Sequence, residues 1–564
     1  MTDTAQLEDG VVGAALVAKG IEYLGQGVNI FQQGYLETPS HGRMLNITEK
    51  DVTKIRINKT NLTETYGSNF AEFLQEFSVE AGLEGSYGGF SASVEAMFSN
   101  AQRTSIDIRF AQLALVVSGA KLNLSRDKVV LRGLLNPEFK RALDNDDPQD
   151  LFNAYGTHVA VALRIGGMLT YYSYSKATEH QTEKDFKLAA QAKYKGFGAT
   201  VGANAALTEK EKEAAKTVEG STHLWVNGGE AGASARVRND DKGSYGDWAK
   251  TLEGDPGFIG FEVNGLLPVW DLTADKTRAA ALNLGFRQEA ARQFQIRIFT
   301  HTGLHAGHPE ARVRIPAEYK LISGGARDNW AGRGNGNLLT ASAPLNTMPR
   351  DDITWMGRGK DHHDVSPATI SVFALGIYDN LNIWEVKQFE ANSSPGPHPS
   401  AEVTLSTEFV AQGGVLVGGG ADVGGNKLLT SCYPKDKTTW AANATDPWNP
   451  GPGAMAVFAV GLRCTVKDVV IAIDINRLTS RPANHPSETC SPGRDLVMTG
   501  GGALVDYATG PGNFLTSTYP ENDQTWKVSS KDHGRESIAT ITAYAIGLKV
   551  SIKPPKPPGV AMVK

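Results

Sequence analysis

The chain has 564 residues, of which 41% are hydrophobic and 21% charged, and its net charge is −5. This length predicts about two to four folded domains, and the weak negative charge excludes a strong nucleic-acid-binding field. No apolar run reaches the roughly 18 residues of a membrane helix. The start of the chain, MTDTAQLEDG, is polar and acidic and is not a Sec signal peptide, so we expect release from the producing cell by another route or by lysis.

Sequence motifs for catalysis or metal binding are absent. Cys432, Cys464 and Cys490 are too few for a disulfide framework and have no CxxC spacing for zinc. There is no HExxH motif and no P-loop, and the glycine-rich stretch 332–337 has no βαβ pattern around it. We therefore expect no enzyme activity, no cofactor and no metal ion.

The N-terminal region begins with weak signals and then gives a clear one. Residues 11–35 fit either a helix or a strand, and 44–63 alternate in part and predict a strand. Residues 77–98 then alternate apolar and polar side chains on both sides of Gly88-Gly89, in arms of 11 and 9 residues. The apolar face carries Phe77, Val79, Leu83 and Tyr87 in the first arm, and Phe90, Val94 and Phe98 in the second. This pattern is typical of an amphipathic β-hairpin.

A tetrapeptide stands at the centre of the next region. Residues 103–124 predict a long strand, the following residues have helical spacing, and 159–174 predict a second strand. Between the helical stretch and the second strand lies Tyr155-Gly156-Thr157-His158, and Gly166-Gly167 follows. Glycines in these positions allow a close approach or a bend of the strand, and His158 is interpreted as a hydrogen-bonded structural residue.

A second alternating segment spans residues 185–207. Its arms of 9 and 11 residues change register at Lys195-Gly196. The apolar face carries Phe186, Leu188, Tyr194, Phe197, Val201 and Leu207, whereas Lys187, Gln191 and Lys193 share the opposite face. A charged, helix-prone stretch at 208–220 and a strand at 221–229, ending in Gly228-Gly229, follow.

Each alternating segment by itself also fits a half-buried strand or a glycine-rich amphipathic helix of a soluble fold. Two segments with matched arms are a stronger signal, because their arms have the roughly 9–11 residues of a membrane-spanning β-strand. We interpret both as segments that are helical in water and form β-hairpins in lipid.

The motifs between residues 40 and 300 resemble the membrane attack complex/perforin (MACPF) family. The resemblance rests on Phe152, the tetrapeptide 155–158, Gly166-Gly167 and Gly228-Gly229, and it departs from the family at Val159, where an aromatic residue is usual. It implies an α+β domain over 1–300, with a bent four-stranded antiparallel sheet, hinge glycines at Gly228 and Gly229, and two flanking helical clusters that refold into transmembrane hairpins. The alternating segments occupy the positions of those clusters.

The second half repeats three times. Each unit has His-Pro (His308, His398, His485), then Gly-Gly-Ala, then a tryptophan (Trp355, Trp440, Trp526) that lies 21 residues before a glycine of a final strand. The pattern predicts an all-β, pseudo-threefold domain over 301–552, with units at about 308–394, 398–480 and 485–552 and a proline-rich tail at 553–564. It resembles the β-tripod domains of bacterial insecticidal proteins.

The repeats separate core residues from candidate binding residues. Their fixed position predicts that the three tryptophans are buried. The His-Pro turns are interpreted as surface turns, because carboxylates that would complete a metal site do not repeat with them in this interpretation. Asp361-His362-His363-Asp364 is interpreted as a solvated loop. Variable loops with Trp330, Arg333 and Trp448 are the candidates for receptor contact.

Together these features predict a pore-forming insecticidal toxin released from a bacterium without a Sec signal. We expect a monomer in solution that binds a protein or glycan receptor on the target-cell membrane through its C-terminal domain. It would then assemble into a homo-oligomeric ring and insert two hairpins per subunit, with no nucleic-acid partner. The alternative is a non-lytic adhesin or lectin-like protein that uses the MACPF sheet as a scaffold.

Overall fold

The protein consists of two compact units, Met1–Phe286 and Arg287–Lys564. The computed structural model describes residues 12–32, 41–67, 70, 72–73, 76, 98–103, 108–176, 183–201, 207–216, 223–239, 241–330, 336–345, 353–362, 365–424, 427–446, 448, 451–507 and 512–553. The division falls earlier than the predicted boundary at residue 300. The reason is that the strand at 296–302, which that boundary would cut, pairs along its length with residues 371–377 of the second unit.

Helices of the first unit surround its sheets. They are α1 Ala14–Tyr23, α2 Asn100–Arg103, α3 Lys128–Gly133, α4 Pro137–Asn145, α5 Pro148–Tyr155, α6 Glu183–Val201, α7 Glu209–Lys216, α8 Ala231–Arg238, α9 Ser244–Thr251 and α10 Lys276–Arg292, which ends in the second unit. Asn136 and Asp147 start α4 and α5 by accepting hydrogen bonds from free backbone N–H groups. A proline follows each cap, at a position where no backbone donor is needed. Among the described residues, no helix is long and apolar enough to cross a membrane.

A long antiparallel sheet forms the centre of the first unit. The strands are β1 Gln26–Val28, β2 His41–Arg43, β3 Thr53–Gly67, β4 Ile108–Asn123, β5 His158–Ala160, β6 Ala162–Lys176, β7 His223–Asn227, β8 Gly257–Phe261 and β9 Leu266–Pro268. The central sheet has the order β3-β4-β6-β7, with β8 also paired to β6, and a small sheet has the order β2-β1-β5-β9. The predicted four-stranded antiparallel sheet is confirmed. The strand predicted at 44–63 begins later, at Thr53, because the 3-10 helix Glu49–Asp51 occupies the residues before it.

The central sheet bends along a line of bulges that crosses three of its strands. The register shifts between Arg56 and Lys59 on β3, between Ser118 and Ala120 on β4, and between Phe258 and Gly260 on β8, opposite Arg164 and Ile165 of β6. Lys59 pairs with Ser118, and Ser118 pairs with Gly166. Because bulges bend strands and increase their twist, their alignment localises the bend beside the glycine pair of β6.

The second unit is almost entirely β-structure, and its described residues also include the end of α10 and one short helix, α11 Thr407–Ala411. Its strands are β10 Ile296–Thr302, β11 Glu310–Arg314, β12 Tyr319–Asp328, β13 Asn337–Pro344, β14 Thr354–Asp361, β15 Ile370–Tyr378, β16 Trp384–Asn392, β17 Ser400–Thr404, β18 Val415–Val423, β19 Leu428–Pro434, β20 Thr439–Thr445, β21 Met455–Cys464, β22 Val469–Thr479, β23 Ser487–Cys490, β24 Val497–Tyr507, β25 Asn513–Asn522, β26 Thr525–Asp532 and β27 Ala539–Ile552. The predicted all-β repeat domain is therefore confirmed.

Three six-stranded sheets form this unit, and each sheet is shared by two repeats. Their orders are β10-β15-β12-β25-β26-β23, β11-β14-β13-β18-β21-β16 and β17-β20-β19-β24-β27-β22. The structural repeat has six strands and begins one strand before the His-Pro motif, at β10, β16 and β22. Each repeat contributes three strands to one sheet and three strands to the next sheet. The repeats therefore interlock around a pseudo-threefold axis.

Close packing explains the Gly-Gly-Ala and tryptophan motifs. Each tryptophan is almost fully buried, and its indole N–H points at an atom of the neighbouring strand: Ser342 Oγ at 3.1 Å, Cys432 Sγ at 3.3 Å and Thr518 Oγ1 at 3.0 Å. A Cβ atom on the first glycine of each motif would overlap the indole. A Cβ on the second glycine would overlap the backbone of the strand from the adjacent repeat. The motif therefore marks the three junctions between repeats.

This packing predicts a specific effect of one methyl group. Gly419→Ala places Cβ against the ring of Trp440, and we expect the second unit to lose about 1–3 kcal/mol of unfolding free energy through overpacking. Gly396→Ala in the same repeat is the control, because a Cβ there has open space, and its change should stay within about 0.5 kcal/mol. Urea unfolding followed by tryptophan fluorescence measures both, and equal effects would contradict the explanation.

Candidate functional site

The tetrapeptide at 155–158 joins helix α5 to the small sheet. Gly156 ends α5 with φ of 82°, and a Cβ there would lie 2.6 Å from the Val28 carbonyl carbon. The Thr157 N–H donates to Val28 O at 2.9 Å, while its carbonyl accepts from Val269 N at 3.0 Å. Its hydroxyl accepts from Ile30 N at 3.3 Å. The tetrapeptide therefore fixes β1, β5 and β9 together.

His158 completes this junction as an uncharged group. Its Nδ1 lies 2.9 Å from Thr157 Oγ1, and its ring meets the edges of Trp270 and Phe286. Burial lowers the pKa of His158 to about 3, because a charged imidazole is poorly solvated there. It is thus neutral at physiological pH, as expected of a structural histidine.

The two glycine pairs converge on Trp248 at the sheet bend. The indole N–H of Trp248 donates to Gly228 O at 2.8 Å. A side chain on Gly167 would meet Leu252 and Trp248, and one on Gly229 would meet the Trp248 ring. Gly228 and Gly229 have φ of 77° and 81°, which favours glycine. The helix pair α8–α9 therefore packs directly against the bend, and these glycines allow the close contact.

An ion pair ties this helix pair to the edge strand. Arg56 donates two hydrogen bonds to Glu253, at 2.8 and 2.7 Å. The two residues lie 197 positions apart in the chain, so no sequence pattern indicated the contact. The ion pair raises the pKa of Arg56 and lowers that of Glu253. Trp248, Leu252, Arg56 and Glu253 together form what we call the bend clasp.

The second alternating segment is a helix in this structure. Residues 183–201 form α6, which confirms the expected helical form. Phe186 and Tyr194 are buried against the sheet, whereas Leu188 and Leu207 are half-buried. Phe197 and Val201 continue the same helix. Exposed polar contacts complete the attachment: Gln191 Nε2 donates to Glu64 Oε2 at 2.8 Å, and Lys187 lies over the Tyr66 ring.

An open cleft lies along one side of α6. A cavity of about 390 Å³ lies between α6, α7 and the sheet and is lined by Leu62, Glu64, Leu113, Leu188, Gln191, Ala192, Tyr194, Lys195 and Glu211. Lys195 Nζ bridges to Glu211 Oε1 at 2.9 Å at its rim. The Thr208 N–H, together with Lys195, lowers the pKa of Glu211 to about 2. Glu211 thus joins the start of α7 to α6 through contacts that water can replace.

The first alternating segment lies outside the described residues, apart from its end. Phe77, Val79, Leu83, Tyr87, Phe90 and Val94 belong to that undescribed part. Phe98 is buried in an aromatic cluster with Phe70, Phe73, Phe110 and Tyr172. Its ring meets that of Phe110 at a centroid distance of 4.9 Å. The hairpin assignment of both segments stays a prediction.

The candidate receptor-contact residues are partly enclosed. Trp330 is half-buried beneath Lys531, whose Nζ lies 5.2 Å from the ring centroid. Trp448 is half-buried against His362, His533 and Phe514. Arg333 lies outside the described residues. Receptor contact by these loops stays a prediction.

Carboxylates do repeat with the His-Pro turns, contrary to our sequence interpretation. Asp361, Asp446 and Asp532 each lie six residues after the tryptophan of their repeat. His308 Nε2 contacts Asp361 at 3.1 Å and His485 Nε2 contacts Asp532 at 3.0 Å, whereas His398 contacts Thr445. No metal-binding group of His, Cys, Asp and Glu side chains occurs among the residues the structure describes. The constant spacing from tryptophan was the signal that could have revealed these pairs.

The interpretation of 361–364 as a solvated loop was wrong for His362. This side chain is only 8% exposed, and its Nε2 lies 3.0 Å from Asp446 Oδ2. The loop turns inward because His362 meets groups from the other two repeats near the axis. His363 and Asp364 lie outside the described residues.

Comparisons with known proteins identify the first unit. Residues 14–272 match the family model of the MAC/Perforin domain, and this range contains the tetrapeptide, both glycine pairs and the bent sheet. Residues 14–272 therefore form a MAC/Perforin (MACPF) domain. No curated protein sequence matches the chain.

Three solved structures are similar to this chain at low sequence identity. GNIP1Aa from Chromobacterium piscinae is 15% identical over 70% of this chain and 76% of its own, with a TM-score of 0.42. A MAC/Perforin-domain protein of Bacteroides thetaiotaomicron is 15% identical over 50% of this chain and 63% of its own, with a TM-score of 0.38. The vertebrate perforin-like membrane protein Astrotactin-2 is 10% identical over 63% of this chain and 66% of its own, with a TM-score of 0.30.

Proposed function

We propose that this protein is a pore-forming insecticidal toxin. The C-terminal domain binds a protein or glycan receptor on the target cell, monomers assemble into a ring, and each subunit inserts two hairpins into the membrane. The proposal depends above all on α6, a helix whose sequence also has the alternation and arm length of a membrane hairpin. A single stretch compatible with both structures is what a refolding segment requires.

The contacts that hold α6 suit a segment that must leave the sheet. Phe186 and Tyr194 supply buried apolar area, an open cleft lies beside them, and the hydrogen bond from Gln191 is exposed to water. Exposed polar contacts add little stability, because water competes for both partners. The burial of Phe186, Tyr194 and the alanines between them is therefore the main interaction that release of α6 must break.

Insertion also requires the backbone of each hairpin to be paired in lipid. An unpaired backbone group there costs several kcal/mol, so isolated hairpins do not insert and a closed barrel of many subunits is needed. Within the described part of the chain, β3 and β7 are the outer strands of the order β3-β4-β6-β7, and neighbouring sheets join through them. The bend clasp holds the sheet curved until assembly straightens it.

The proposal is tested by imaging the protein on membranes. Purified full-length protein is added to vesicles prepared from insect gut epithelial membranes and, as a control, to vesicles of pure phosphatidylcholine. We expect rings in electron micrographs and release of an enclosed dye from the gut vesicles alone. Tight binding without rings or dye release would overturn the toxin proposal and favour the non-lytic adhesin.

A further inference from the structure

The strand pairing of the central sheet has a definite continuation beyond its last described pairs. Residues 108–118 of β4 pair with 166–176 of β6 in one unbroken antiparallel register. In such a register, each step back along β4 is matched by one step forward along β6. Nine residues beyond the last pair, an extended chain would therefore place Ser99 opposite Asp185.

This continuation aligns the apolar faces of the two alternating segments. The apolar positions of the arm 90–98 are even-numbered, and so are those of the arm 186–194. Phe98 would lie opposite Phe186, and every other apolar position of one arm would lie opposite one of the other. Because side chains alternate along a strand, the apolar side chains of both arms would share one face. Residues 77–97 lie outside the described residues, and only their order in the sequence is used.

The pairing of β3 with β4 locates the turn of the first segment. Residues 59–67 of β3 pair with 110–118 of β4. Continued in the same register, this pairing brings Tyr87 opposite Phe90 and leaves Gly88-Gly89 as a two-residue turn. The alternation in the sequence changes face at the same two glycines, and glycines favour the tight turn of a two-residue hairpin.

The pairing of β6 with β7 gives a similar result for the second segment. Residues 168–172 pair with 223–227. Continuation brings Leu188 opposite Leu207 and leaves Phe197-Gly198 as the turn. This turn lies two residues after the change of register at Lys195-Gly196, but the apolar faces of the two arms still coincide.

The bulges at the bend decide whether the faces match. On the other side of the β4 bulge, residues 120–123 pair with 162–165 in a register that differs by one residue. Continuation of that register would bring Phe98 opposite Lys187, so an apolar side chain would share a face with a charged one. A slip of one residue exchanges the two faces of a strand. The bulge therefore sets which face of the continued sheet is apolar.

The segments that this register would pair lie on opposite faces of the sheet in this structure. Phe98 belongs to the cluster that contains Phe110 of β4, whereas Phe186 belongs to the cluster that contains the next residue, Ala111. Successive side chains of a strand point to opposite faces. Packed layers are about 10 Å apart, so roughly 20 Å separates the chain at Phe98 from the chain at Phe186.

We propose that the bulges at the sheet bend set the register of the inserted hairpins, so that Ser99 pairs with Asp185 in the pore. The lipid-facing side chains continue the face of the sheet that carries Phe110. The lumen-facing side chains continue the face that carries Ala111, which α6 covers before insertion. This inference rests on the proposed function, because it describes the pore that the protein forms.

Cross-linking of the full chain on membranes tests the register. Ser99→Cys/Asp185→Cys substitutes two exposed residues, and Cys464→Ser removes a half-buried thiol. A short thiol-specific linker is added in solution and on vesicles from insect gut epithelial membranes, and mass spectrometry quantifies the linked peptides. We expect at least about tenfold more linkage on the vesicles, because directly opposite side chains have Cβ atoms about 4.5–5.5 Å apart.

Ser99→Cys/Lys184→Cys, also with Cys464→Ser, is the matched control. Lys184 is exposed like Asp185, but neighbouring residues of a strand point to opposite faces, so its linkage on the vesicles should be at least about fivefold lower. Dye release by the unlinked variants reports pore formation and shows that both fold. Release together with equal linkage of the two pairs, with stronger linkage of the control, or with no linkage would overturn the register and leave pore formation standing. Absence of both rings and release would overturn the proposed function, and the register with it.

Discussion

Cross-linking position 64 on β3 to position 191 on α6 is expected to abolish dye release from target vesicles. Gln191 Nε2 and Glu64 Oε2 are 2.8 Å apart, so a short thiol-specific linker can join Glu64→Cys and Gln191→Cys. The hairpin arm that contains position 191 has 9 residues and extends by about 3.3 Å per residue, which carries its tip roughly 30 Å away. A linked α6 cannot make this movement, and release should fall by more than about tenfold.

Controls distinguish an effect of holding α6 on the sheet from loss of activity caused by the cysteine substitutions or by the linker itself. Cys464 is half-buried and is replaced by serine to prevent side reactions. A linker with an internal disulfide allows reduction to restore release in the same sample. Positions 402 and 435, an exposed ion pair of the C-terminal unit with Nζ–Oε1 at 2.7 Å, provide a linked control that should stay active. Full release from the protein locked at 64 and 191 would exclude refolding of α6.

The sequence predicted best the features that depend on local patterning. Alternation and glycine placement located β4, β6 and the C-terminal strands, and the constant position of Trp355, Trp440 and Trp526 predicted their burial. The segment at 183–201 fits both the 3.6-residue period of a helix and the two-residue period of a strand, because its many alanines and glycines are compatible with either structure. Tertiary contacts of this segment with β4, β6, α7 and α9 select the helix.

Features created by distant contacts were not predictable from patterning. The Arg56–Glu253 pair joins residues 197 positions apart, and the repeated motifs do not by themselves show which strands of different repeats share a sheet. The inward turn of His362 depends on Asp446 and Trp448 of the next repeat. Such contacts follow from topology, which a single sequence does not encode locally.

A lysine at position 188 is expected to block pore formation while leaving receptor binding unchanged. Leu188 lies on the apolar face of the predicted hairpin but is only half-buried in α6, beside Glu64 and Glu211 in the wall of the cavity. Leu188→Lys should therefore fold normally. On the lipid face of a barrel, a lysine costs about 2–4 kcal/mol near the bilayer midplane, and the cost recurs in every subunit of the ring.

Gln191→Lys is the matched control, because it adds the same charge to the same helix three residues away. Position 191 belongs to the polar face, which lines the water-filled lumen in the proposed pore, and in the folded protein a lysine there lies beside Glu64. Dye release should fall by more than about tenfold for Leu188→Lys and change by less than about twofold for Gln191→Lys. A β-hairpin places positions 188 and 191 on opposite faces, since its side chains alternate. In a helix that inserted unchanged, residues three apart share a face, so equal loss of release in the two variants would indicate insertion of α6 as a helix.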